Sequence, residues 1–149
     1  MFRNKLLSEA LADGVWFERD PLCLTREEVD PELRDTIFAI NRTARFLTRY
    51  CCEGHVDRER EKYTAPYIQL VCRNHDLATV MLVAVASQKA AVAVCPDLHV
   101  SVHMEAASPN WTICSIHAFD PYGDVAESLP AARQAIIDFG CQLSRHKVR

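Results

Sequence analysis

A chain of 149 residues, 49% hydrophobic and 25% charged, has the length and composition of one compact domain with its own core. Its net charge of −3 at pH 7 gives no global electrostatic case for nucleic acid or an anionic membrane. The seven cysteines are odd in number and scattered, which argues against a disulfide framework.

MFRNKLLSEALADG, at the N-terminus, lacks the apolar core and cleavage site of a secretory signal, so a reducing cytoplasm with free thiols is expected. Most of those thiols are read as small core residues. Residues 3 to 12 carry a short helical pattern that stops at Asp13-Gly14. Thr25 and Glu28 have capping-box spacing, but Asp30-Pro31 is the better helix start, with an N-cap acid followed by proline. From there Leu33, Ile37 and Ile40 fall on one helical face.

The β-favouring run RFLTRYCC (45–52) predicts a strand that ends at Gly54, and the charged VDREREKYTA predicts an exposed loop. PYIQLVC (66–72) predicts a second strand, leading into a helix built on LATVMLVAVAS. That helix is apolar almost all round, which predicts burial, while runs such as VMLVAVA are too short to span a bilayer. DLHVSVHM (97–104) and WTICSIHA (111–118) predict a hairpin joined through EAASPN. A last helix from Leu129 or Pro130 to Ser144 carries the stripe Ala132, Ile136, Phe139 and Leu143.

The predicted fold is α+β: a mostly antiparallel sheet of about four strands with helices packed on one face, in a single domain. Residues 1–43 form its helical part, and residues 44–149 hold the sheet and two helices. Within the first hairpin strand, His99, Ser101 and His103 alternate with Leu98, Val100, Val102 and Met104. Antiparallel pairing would bring His117 near His99 or His103, on the face away from the helices. Such a face suits a metal, a proton relay or an anion; its plainest account is a solvated surface or a homodimer interface.

The densest chemistry is Cys51-Cys52-Glu53-Gly54-His55. Cys52 and His55 are spaced C-x2-H, and Cys72 and His75 repeat that spacing, so the four make a candidate zinc set. Alternatively, Cys52 is a nucleophile paired with His55, with Glu53 as orienting acid and Arg49 as the phosphate-holding cation. The plainest account is a turn on Gly54 that leaves Glu53 and His55 exposed.

INRTARFLTRYCCEGH, followed by APYIQLVCRNHDLATVMLVAVAS, resembles the third-enzyme family of the wybutosine-synthesis pathway, tRNA methyltransferases. The resemblance covers about residues 37 to 90 and is carried by Asn41, Cys52, Gly54, Pro66 and Tyr67. It implies S-adenosylmethionine as cofactor and a nucleotide or RNA as substrate. His55 stands where that family has arginine, and Cys51 where it has serine. The motif is also similar to the C-x-G-H of small bacterial and phage proteins, which implies a phage or mobile-element origin.

Two function classes follow. The first is a small cytoplasmic binding or regulatory protein, holding a small anionic ligand or a protein partner between CCEGH and the histidine-bearing face; a structural zinc site is a variant of it. The second is a nucleotide- or RNA-modifying enzyme.

Overall fold

The computed structural model describes residues 4 to 146. Helix α1 (Lys5–Ala12) is capped by the Asn4 side chain and stops before Gly14, whose φ is +87°. The Thr25–Glu28 capping box is present, on a single 3-10 turn (Arg26–Glu28). After Asp30 the chain makes another such turn (Pro31–Leu33) and then α2 (Arg34–Asn41), which buries Leu33, Ile37 and Ile40 as the spacing predicted.

Strand β1 (Phe46–Cys52) follows, then a small hairpin of β2 (His55–Asp57) and β3 (Lys62–Thr64). This hairpin replaces the expected loop over VDREREKYTA. Its charged side chains project into solvent, and each three-residue strand holds one apolar residue, Val56 opposite Tyr63, too few to mark a strand in the sequence.

Strand β4 (Tyr67–Arg73) leads through a 3-10 turn (Asn74–Asp76) into α3 (Leu77–Val94). The hairpin of β5 (His99–Ser108) and β6 (Trp111–Phe119) runs through the expected connection, so the turn itself is only Pro109-Asn110. Helix α4 (Val125–Arg145) starts four or five residues before the expected Leu129 or Pro130. Asp124 accepts the Ala126 N–H and caps it, so Pro130 sits inside the helix rather than opening it.

The four long strands form one antiparallel sheet in the order β1-β4-β6-β5, and the fold is α+β. Helices α2, α3 and α4 cover one face, where Ile37, Ile40, Val80, Ile136 and Phe139 meet Phe46, Ile68, Leu70 and Ile116. Helix α1 packs on the opposite face, over Leu47, Val71, Trp111 and Ile113, and closes that half of it. An Arg73–Glu9 ion pair and a 2.7 Å bond from Trp111 Nε1 to Asp13 fasten it there. Between α2 and α4 the backbones come so close that a Cβ on Gly140 would lie 2.1 Å from Thr36 Cγ2.

The expected burial of α3 holds for one face alone. Val80, Val83, Ala84, Ser87 and Ala91 are buried, whereas Leu82 is 64% and Val85 50% exposed. As a continuous helix, Asn74–Val94 is also long and apolar enough to cross a bilayer by length and composition, which the short apolar runs of the sequence did not indicate. Its inner face instead packs on β5 and α4.

Side-chain amides finish both sheet edges. Asn41 Oδ1 accepts the Thr48 N–H at 2.8 Å beside a bulge in β1. On β5, Gln88 donates to Leu98 O at 2.8 Å and accepts from Val100 N at 2.6 Å.

Candidate functional site

Strand β1 ends where the chain turns on Gly54, whose φ of +86° is one that side-chain-bearing residues rarely adopt. The space is closed as well, since a Cβ there would meet Leu129 Cδ1 at 2.5 Å and Pro66 Cδ at 3.0 Å. Arg133, from α4, donates to Glu53 O at 2.8 Å and Gly54 O at 3.2 Å. The Glu53 N–H donates to Asp30 Oδ2 at 2.9 Å, and the Glu53 carboxylate accepts the Glu32 N–H at 3.0 Å. Glu53 therefore clasps the turn to the start of α2 rather than orienting a thiol.

Cys51 and Cys52 point to opposite faces, as neighbours on a strand must. Cys51 packs toward the helical core, while Cys52 lies at the strand end and accepts the Gly54 N–H at 3.4 Å. His55 comes back beside it, with Nε2 3.6 Å from Asp30 Oδ2. The donor atoms of Asp30, Cys52 and His55 all lie within 4.8 Å of one another. Sequence reasoning missed Asp30 as part of this cluster because Asp-Pro reads as a helix start; its side chain caps no helix and serves the turn instead.

The other half of the expected zinc set is elsewhere. Cys52 pairs with Tyr67 at one end of β4, whereas Cys72 pairs with Phe46 five residues farther along, about 17 Å away. Cys72 is buried in the core beside Cys114, and His75 is exposed near Asp76. These two residues do not complete a site with Cys52 and His55.

All seven cysteines are free, as expected, but only Cys72 and Cys114 are fully buried. Burial, with the charges of Asp30 and Glu53 adding to it, pushes the Cys52 thiol above its ordinary value, and the Gly54 N–H offsets part of this. Burial and then Asp30 push Cys51 up to about 11. Both thiols are thus protonated at neutral pH, and the acidic surroundings favour a cation over a thiolate nucleophile or an anion.

Arg49 sits on the β1 bulge, with its guanidinium over the rings of Trp16 (5.7 Å) and Tyr50 (5.6 Å). It lines a cavity of about 140 Å3 that also holds Glu18, Arg19 and Glu28. Glu18 and Glu28 offset the charges of Arg19 and Arg49, so the cavity has no excess of positive charge for an anion.

The half of the sheet face left open by α1 is built in rows. Cys52, Tyr67, His117 and Ser101 stand side by side across all four strands. Tyr50, Gln69, Ser115 and His103 form the next row, and Gln69 donates to Ser115 Oγ at 3.0 Å. His117 stacks on Tyr67 with ring centres 5.1 Å apart, and His99 stacks on Phe119 at 6.0 Å. The strand register sets His117 opposite Ser101, diagonal to both His99 and His103. Burial first, and then the charge of His103, lowers the pKa of His117.

The arrangement offers two things chemically: a surface of aromatic rings and hydrogen-bonding groups whose two rows hold no Asp, Glu, Lys or Arg, and a three-donor cluster at its Cys52 end. Comparison of the chain with protein-family models, with curated proteins and with solved structures gives no match.

Proposed function

We propose that the protein is a small binding or regulatory module whose recognition surface is the open half of the sheet face. The observation that carries this reading is the Cys52–Tyr67–His117–Ser101 row, which crosses four strands with half-buried rings and, among the described residues, no helix over it. Tyrosine-rich, flat surfaces with few charges suit protein partners, because the rings supply contact area at little entropic cost. The favoured occupant is a polypeptide segment rather than an anion, since neither row holds a lysine or an arginine.

A displayed library of random linear peptides, selected on the wild-type chain, tests this. Recovered peptides should bind wild type and lose about tenfold in affinity on Tyr67→Ala or His117→Ala, measured by calorimetry. Peptides that bind these variants as well as wild type would place recognition elsewhere. Binding of S-adenosylmethionine or a nucleotide, with no peptide recovered, would favour the alternative of an RNA- or nucleotide-modifying enzyme.

A second reading concerns a second copy of the chain. Ala78, Met81, Leu82, Val85 and Val92 form an exposed apolar stripe along α3, broken by one charge, Lys89. The helix is about 27 Å long, and its middle carries Val85-Ala86, small enough for another helix to approach closely. An apolar stripe with almost no charge complements itself, so a two-fold pairing of α3 with α3 is the favoured contact.

A further inference from the structure

We infer that Asp30, Cys52 and His55 form a site for a thiophilic divalent cation, zinc being the best match. The site shares Cys52 with the proposed recognition row but needs no partner there, and it rests on three features of the turn.

The first is the donor set. One thiol, one imidazole and one carboxylate are all zinc ligands, and a hard cation such as magnesium would not select the sulfur or the ring nitrogen. The second is spacing. Zinc bonds of about 2.0 to 2.3 Å in a tetrahedron separate neighbouring ligand atoms by about 3.3 to 3.8 Å. His55 Nε2 and Asp30 Oδ2 already stand at 3.6 Å, and the whole set lies within 4.8 Å. A contraction of about 1 Å, within the reach of side-chain rotation at His55, closes the set.

The third feature is the support behind the ligands. The Gly54 N–H points at Cys52 Sγ, a bond that strengthens when the sulfur is a metal-bound thiolate. Asp30 is fixed by the Glu53 N–H, and Arg133 holds the two carbonyls of the turn from behind. Only Gly54 fits at the centre, so Cys52 and His55 keep one relative placement. His55 carries a 60% exposed side chain, which leaves the fourth position facing solvent, open to water or to a donor from a partner.

Binding displaces the thiol proton to solvent as the Cys52 sulfur takes the metal; no electron is transferred. The Asp30 and Glu53 carboxylates beside it offset the added positive charge.

The test is titration of the reduced full-length protein with cobalt(II), followed by displacement with zinc(II). Circular dichroism of each variant without metal shows that it is folded. The expected result is one equivalent of tetrahedral cobalt with a thiolate charge-transfer band, bleached by zinc. That band should vanish in Cys52→Ser, and binding should weaken about tenfold in Asp30→Asn and in His55→Ala. Cys72→Ser, His75→Ala and the exposed Cys23→Ser should bind as wild type does. Absence of stoichiometric binding by the folded wild type would overturn the inference. So would a charge-transfer band that survives Cys52→Ser or disappears in Cys23→Ser.

Discussion

Gly54 is the residue on which the CCEGH turn depends. Any Cβ there meets two obstacles together, an unfavourable positive φ and the Leu129 and Pro66 side chains. Gly54→Ala should cost about 2 kcal/mol or more in urea unfolding, since left-handed backbone alone costs alanine about 1 to 2 kcal/mol. His117 carries a second expectation. Its imidazole resists protonation in the folded chain, so the unfolded state takes up the proton more readily. The resulting stability is present above the ordinary imidazole pKa and is lost as pH falls from there toward the lowered folded value. His117→Gln should flatten the acid side of the stability curve, measured by denaturant midpoints from above the ordinary imidazole pKa downward. At this scale the sequence was informative about Gly54 and the Cys-Gly-His spacing. It was silent on Asp30, which lies 22 residues before Cys52 and reaches the turn only through tertiary folding.

Among the elements, α2 and α4 show how closely sequence and packing are tied. Gly140 in the middle of α4 looks like a helix defect, since glycine costs about 1 kcal/mol relative to alanine there. Its reason is Thr36, whose methyl group occupies the space a Cβ would take. Gly140→Ala should therefore destabilise by about 1 to 3 kcal/mol in thermal or urea unfolding, against the gain in helix propensity. Element types were legible wherever apolar spacing repeats, as in α2, α4 and the β5–β6 hairpin. The β2–β3 hairpin and the α4 start were not, because each strand of the one carries a single apolar residue, Val56 or Tyr63, and the other depends on the Asp124 cap. For α3, hydrophobicity without periodicity gave a helix but not its orientation, and half of it faces outward.

For the whole molecule, the outward face of α3 and the open sheet face are separate surfaces with different chemistry, one aliphatic and one aromatic and polar. Association of two copies through α3 predicts a dimer in light scattering at micromolar concentration, converted to a folded monomer by Leu82→Glu with Val85→Glu. A wild-type chain that stays monomeric up to about millimolar concentration would remove this contact, since that limit corresponds to only about 4 kcal/mol of association free energy. Binding of the monomer to lipid vesicles would assign the stripe to a membrane surface instead. The Gln88 amide bears on which kind of assembly is open to the chain. By occupying Leu98 O and Val100 N, it takes the place of another strand at the start of the β5 edge. Strand groups alternate in direction, so the outward backbone groups that remain are Val100 O and those of Val102, Met104 and Ala106, up to the bulge. A strand added at this edge would therefore find its main-chain partners only beyond the groups that Gln88 holds. One glutamine thus withholds the first donor and acceptor of the β5 edge from any incoming strand and shifts the register such a strand could take.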